Sequence, residues 1–390
     1  MANAQTSSTS AAAARIGVEI AGPNSTSVDR EARFPHEAMD ALKAERLLSA
    51  YVPRELGGAG LGMIELSQLC EILAQHCSST AMIFAMHQIQ VACLARHGLG
   101  SAFFKRYLTD LVEKQYLIAS VTSEVGVGGE MRTSVCAVER QGDRFKLDKD
   151  ATTISYGAHA NDLLVTARRA PDAAPSDQSL VLLSKAEYSL EQNGAWDTLG
   201  MRGTCSPPFK LRSSGSSDRV MSVSFAEIAS NTMVPFSHIL WASCWLGIAT
   251  AAVSKARSFV RTQARAKPGT TPPVALRLAE VSATLQMMRA NVHDVAEECE
   301  KLMAQPDAGA DVLSSMSFAL KMNNLKVATS QVLVDIVQRC LLICGIMGYK
   351  NDSKVSIGQH LRDGLSAALM VGNDRIYATN ASMLLVLKED

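Results

Sequence analysis

Cys340 and Cys344 stand four positions apart, one turn of a helix, and two thiols at that spacing could form a redox couple or supply two metal ligands. The runs around them are apolar, so two buried small hydrophobes are expected instead. The nine cysteines (70, 77, 93, 136, 205, 244, 299, 340 and 344) are odd in number and scattered, a pattern expected of reduced thiols in a cytoplasmic protein. His76, His87 and His97 lack Cys, Asp or Glu at ligand spacing, so packing is expected for each and no metal site is expected. The segment GGAGLG at 57–62 could cradle a phosphate, yet it lies between helical runs and carries no lysine; a turn is expected. A nucleotide-triphosphate loop, a G-x-G-x-x-G after a strand and an H-E-x-x-H are all missing. Nicotinamide, nucleotide and zinc-hydrolase chemistry therefore have no sequence support.

These residues sit in a chain of 390, long enough for two or three domains. Its 38 basic and 38 acidic residues cancel, so neither nucleic acid nor an anionic membrane is an expected partner. Residues 1–28 are rich in Ala, Ser and Thr without an apolar stretch and predict a flexible tail. Residues 29–115 repeat apolar positions at three and four, as in MIELSQLCEILAQHC, and predict a helical domain. Over 116–230 short alternating or β-branched runs, such as YLIASVTSE and DLLVTARR, predict a middle antiparallel β domain. Helical spacing returns over 231–390 in four long segments, predicting a four-helix bundle. The fold class expected is thus mainly α with a β domain in the middle. The apolar run Ile239 to Val253 falls short of the roughly 20 residues that span a bilayer and reads as a buried helix.

Five segments in this order resemble the acyl-CoA dehydrogenase superfamily. They are YVPRELGGAG (51–60), VTSEVGVGGE (121–130), TTISYGAHAND (152–162), WDTLGMRGTCS (196–206) and GYKNDSKVSIGQHLRDGLSAALMVGND (348–374). The resemblance implies the same three regions, a homotetramer or homodimer, and FAD held noncovalently at a subunit interface. FMN is the alternative for a monooxygenase. On the flavin it implies Thr122 and Ser123 near the ring's N1 and O2, where hydroxyl and N–H donors stabilise the reduced ring. Thr153, in place of the family's Trp, and Ser155 fall near N5. Arg261 matches the arginine that grips the pyrophosphate in a partner subunit, Gly345 matches a glycine of the family's Q-x-x-G-G-x-G-Y turn, and Asn373 and Arg375 follow in the last segment.

On the substrate side the chain departs from the family. Gly129 replaces a serine that contacts the CoA arm, His238 replaces an arginine, and Val371 occupies the place of the glutamate that removes the α-proton. Valine cannot accept a proton, so no catalytic base is assigned. Asp374, three positions past Val371, shares its helical face as a possible substitute. The first expectation is a dehydrogenase of acyl thioesters, on CoA or a carrier protein, with a non-standard base and an electron-transfer flavoprotein as electron acceptor. The second is a monooxygenase of a small molecule, fed reduced flavin by a separate flavin reductase. The third is a catalytically silent homologue.

Overall fold

The computed structural model describes residues 2–128 and 130–387. Six helices come first: α1 (Ala2–Ile16), α2 (Gly22–Arg30), α3 (His36–Ala44), α4 (Met63–Ala74), α5 (Ser78–His97) and α6 (Ala102–Lys114). Seven strands follow: β1 (Ile118–Val121), β2 (Glu139–Gln141), β3 (Arg144–Ala151), β4 (Asp162–Arg168), β5 (Gln178–Ser184), β6 (Tyr188–Gln192) and β7 (Phe209–Ser216). The chain then returns to helix: α7 (Phe225–Ile228), α8 (Val234–Ala266), α9 (Ala275–Met303), α10 (Pro306–Leu313), α11 (Met316–Cys344), α12 (Ile346–Tyr349), α13 (Gly358–Leu365) and α14 (Asn373–Leu384).

The strands form two sheets, β1-β4-β5 and β2-β3-β7-β6. In β3 the burial alternates residue by residue, whereas β4 and β5 are buried along nearly their whole length because both of their faces are covered. The expected antiparallel arrangement needs one correction: β1 pairs parallel to β4, with Ile118 opposite Asp162. The chain makes the β2–β3 excursion between them and so re-enters the sheet in the same direction.

The expected flexible tail over 1–28 is also corrected. Residues 2–30 are helical, and Ala13, Ile16, Ala21 and Val28 are buried. Its small side chains read as low hydropathy in sequence, but they permit close packing: the ring of His76 lies against Gly17, where an added Cβ would stand 2.4 Å from it. Polar bonds hold this segment to α13. Arg362 forms an ion pair with Asp29, its Nη1 2.8 Å from Oδ1, and Gln359 donates to Ser25 at 3.1 Å.

The bundle consists of α8, α9, α11 and a fourth helix broken into α13 and α14. At its centre runs α8, with Trp245 and Phe236 fully buried. Gly247 lets α4 lie against α8, since a Cβ there would come within 2.5 Å of the Glu71 carbonyl oxygen. Phe225–Ala266 and Met316–Cys344 are both long and apolar enough to cross a membrane, and the apolar window of the first is 89% buried inside the fold.

His87, the GGAGLG segment and the Cys340–Cys344 pair take structural places, as their surroundings in sequence suggested. His87 is buried, with Nε2 2.7 Å from the Leu48 carbonyl and Nδ1 accepting from the Ile118 N–H at 3.0 Å, which seats β1 on α5. The GGAGLG turn leads into α4, whose first amides are taken by carboxylates: Gly62 N–H donates to Glu65 and Ile64 N–H to Glu300. Two acids thus stand at this helix start, which disfavours a phosphate there. Cys340 and Cys344 are free and buried, and burial pushes their thiols up to about 12 and about 11, which keeps them protonated.

Candidate active site

A cavity of about 830 Å³ opens where the end of β1, α5, the first turns of α8, the first half of α11 and the turn before α14 converge. That volume is within the range of sites for cofactors and small ligands. Thr122, Ser123, Thr153 and Ser155 line its strand side, and His238, Val371 and Arg375 line its helical side. Seven of the residues singled out in sequence, spread over more than 250 positions, therefore meet at one place.

The strand side is preset by its own bonds. Ser123 Oγ donates to the Thr153 carbonyl at 2.6 Å and accepts from the Thr153 N–H at 3.1 Å, tying the exit of β1 to the exit of β3. Ser206 donates to Ser155 Oγ at 2.9 Å. Among the described residues no hydrogen bond takes up the Thr122 hydroxyl, which stays free for a ligand. Behind them Tyr156 is buried, with φ of 44° and its hydroxyl on the Ile118 carbonyl at 2.9 Å.

The helical side is mostly apolar: Phe225, Met233, Trp241, Phe318, Met322 and Ile376 all contribute. His238 is 4% exposed, and its Nδ1 lies 3.0 Å from the Met322 carbonyl oxygen. Burial first, and then the charge of Lys326, push its imidazole down to about 4. The ring is neutral at pH 7, so Nδ1 carries the hydrogen and donates to Met322. Nε2 is then a bare acceptor.

Val371 sits at φ of 47°, a left-handed conformation that β-branched residues strongly avoid. Beneath it Lys326 is fully buried and donates to the Val371 carbonyl at 3.3 Å and to Asn373 Oδ1 at 2.6 Å. Val371 is 38% exposed and so has few packing contacts to lose. Val371→Asn is expected to raise stability by about 1 kcal/mol, because asparagine tolerates this backbone far better. A lower thermal midpoint for that variant would sink the strain reading.

Other expected site residues fall elsewhere. The Asn373 side chain turns away from the cavity to Lys326 and Ser330, because the N-terminus of α14 packs on α11. Arg261 is exposed on α8 and Gly345 caps α11 at φ of 56°, both outside the cavity. Asp374 is exposed and does not line it. Gly129 lies outside the described residues. Arg375 reaches the cavity mouth and donates to the Gly128 carbonyl, holding the loop after β1 against α14. Among the described lining residues the carboxylate is Glu130, and its Oε1 accepts from the Arg132 N–H at 2.9 Å.

Sequence reasoning missed Trp241 and Gln90, which also line the cavity. Trp241 stands one helical turn beyond His238, so a helical projection would have found it. Nothing in the sequence of α5 marks Gln90, since its side chain lies inside an apolar run.

Comparison with known proteins sorts these features into a family. The model of the acyl-CoA dehydrogenase N-terminal domain matches residues 7–115, and that of the C-terminal domain matches residues 228–383. The chain belongs to the acyl-CoA dehydrogenase superfamily. Its relatives in that superfamily differ in activity. Probable acyl-CoA dehydrogenase FadE25 of Mycobacterium tuberculosis is 24% identical over 367 residues, 92% of this chain and 89% of that one. Dibenzothiophene monooxygenase of Mycolicibacterium goodii is 25% identical over 333 residues, 80% and 78% of the two chains. The match to cyclohex-1-ene-1-carbonyl-CoA dehydrogenase of Geobacter metallireducens, 27% identical, spans about half of each chain, 48% and 49%. Two solved structures share the fold at 18% identity: FMN-bound TdsC from Paenibacillus sp. A11-2 and butyryl-CoA dehydrogenase from Megasphaera elsdenii. Their TM-scores are 0.81 and 0.82, and each alignment covers 98% of this chain and 97% or 98% of the other.

Proposed function

We propose that this chain binds a flavin, FAD or FMN, in the cavity and oxygenates a small, largely apolar molecule with molecular oxygen. The observation that carries this reading is the composition of the cavity wall. Hydroxyls and backbone suited to a flavin ring are in place, whereas Val371, which we align with the family's proton acceptor, offers no base, and the one lining acid described, Glu130, is bonded to its own loop. Thr122 and Ser123 would hold the pyrimidine edge of the ring, with Thr153 and Ser155 near its central nitrogen. The free Thr122 hydroxyl and the roomy cavity fit such a group. Bound there in reduced form, a flavin supplies the two electrons that, with two protons, take one oxygen atom of O2 to water while the other enters the substrate.

The chain's own residues bind and seal. Arg375, through the Gly128 carbonyl, keeps the loop after β1 across the mouth, and the apolar helical wall excludes water. Dehydrogenation of an acyl thioester is disfavoured by the same wall. No carboxylate is described on its helical side to take an α-proton, and His238 is held there through Nδ1 on the Met322 carbonyl.

Arg261 and Gly345 support a second element of the proposal, a homodimer or homotetramer in which they serve the neighbouring copy's cofactor. The surface beside Gly345 exposes Ile346 and Tyr349 at 70% and 73%, an apolar patch that a second copy would cover. Reduced flavin is expected from a separate reductase. The test uses purified protein loaded with oxidised or reduced FMN or FAD. Anaerobic addition of butyryl-CoA is expected to leave the oxidised flavin spectrum unchanged, while the reduced protein given ¹⁸O2 and an aromatic probe such as indole incorporates the label. Rapid loss of the oxidised spectrum with butyryl-CoA would overturn the proposal.

A further inference from the structure

The lone pair of His238 Nε2 has no partner among the described residues. Its ring is 4% exposed, it lines the cavity, and the bond from Nδ1–H to the Met322 carbonyl at 3.0 Å fixes both the tautomer and the ring's orientation. The charged groups near the ring are Lys326, which packs near it from α11, and, lining the same cavity, Arg132, Arg375 and Glu130, whose Oε1 accepts from the Arg132 N–H; three cations face one acid. Their net positive charge disfavours an imidazolium. Met233, Trp241 and Phe318 line the same cavity as His238, and the Trp241 ring stands 6.2 Å from the imidazole, so an apolar wall adjoins the nitrogen. An unmet acceptor in such surroundings discriminates strongly between ligands that carry a donor and ligands that do not, because a mismatched ligand leaves the nitrogen both desolvated and unpaired.

We propose that His238 is the specificity-determining residue of this site, selecting neutral ring compounds that bear one O–H or N–H donor, such as a hydroxyarene. The donor bonds to Nε2, and the apolar body of the ring packs against Trp241 and Phe318. No proton is transferred: the hydrogen stays on the substrate, and His238 orients the ring. The choice of cavity rests on the oxygenation reading, but the selection itself concerns binding and needs no turnover.

The test measures binding of 2-naphthol and of its ether, 2-methoxynaphthalene, to the full chain by calorimetry. Wild-type protein is expected to bind the naphthol about 10-fold more tightly than the ether. His238→Phe removes that preference by weakening the naphthol alone, and His238→Gln, which keeps an acceptor, restores part of it. Between pH 5 and 7 the preference stays constant, because no ionisation of His238 falls in that range. Equal binding of the two probes to wild type, retention of the preference in His238→Phe, or a change in preference across pH 5 to 7 each overturns the inference. Circular dichroism and the ether's unchanged affinity report whether a variant has kept its fold. Loss of ¹⁸O incorporation with the preference intact counts against the proposed oxygenation alone.

Discussion

Gly200→Val is expected to lower folding stability by about 3 kcal/mol, read as a fall in the urea midpoint at unchanged slope. A Cβ at Gly200 would lie 2.2 Å from the Arg362 carbonyl oxygen, 2.3 Å from its carbon and 2.6 Å from the Asp363 nitrogen. All three are backbone atoms, so no side-chain rotation can make room. The contact is also the place where two of the family's segments meet. Met201, next in the chain at φ of 51°, donates its N–H to Asp363 Oδ1 at 2.6 Å, and the Ser78 hydroxyl donates to the other oxygen. Burial pushes the Asp363 carboxyl up to about 6, and those donors and Arg362 pull it back down. Moving α13 to admit the valine would break these bonds and strain the Arg362–Asp29 pair that holds α2. A midpoint within 0.5 M urea of wild type would show that the loop at 196–206 moves freely.

Lys326→Ala should cost a similar amount, about 3 kcal/mol, since it strips the donor from Asn373 and from the Val371 carbonyl and leaves a buried gap beside Trp245. The turn at 366–372 then loses its anchor, and ligand affinity falls along with stability. The same residue gives a pH signature. Burial pushes its ammonium down to about 8 from the usual 10.5. Between those values the unfolded chain binds more protons than the folded one, so stability gains a rising contribution as pH increases from 8 to 10.5. Lys326→Met lacks the titrating group, and its urea midpoint relative to wild type should decline over that window. Parallel midpoints for the two proteins would mean that the lysine is not buried as described.

Much of this arrangement is legible in sequence. The succession of helices, strands and helices follows from periodicity, because a buried face repeats every 3.6 residues in a helix and every two in a strand. The hydroxyls at 122, 123, 153 and 155 could be assigned to one site because they fall at the ends of strands in a recognisable order. His238 and Val371 were found through departures from the family's pattern. The first 28 residues were misread because alanine and serine carry little hydrophobic signal even where they pack tightly, and nothing local announces the Asp29–Arg362 pair across 333 positions. Asn373 was expected at the cofactor, but its side chain answers to Lys326, a contact that depends on how α14 docks on α11.

Residue types alone determined that position 371 carries no proton acceptor: its valine is a chemical fact that no folding can alter. They also determined which hydroxyls and which imidazole were available. Tertiary structure decided their protonation and their freedom. His238 is a neutral acceptor because burial removes the water that would stabilise its cation, and among the described residues Lys326 meets no acid because helix packing brings carbonyl and amide oxygens to it instead. Both outcomes depend on solvation and on distances between distant segments, which a linear order of residues does not encode.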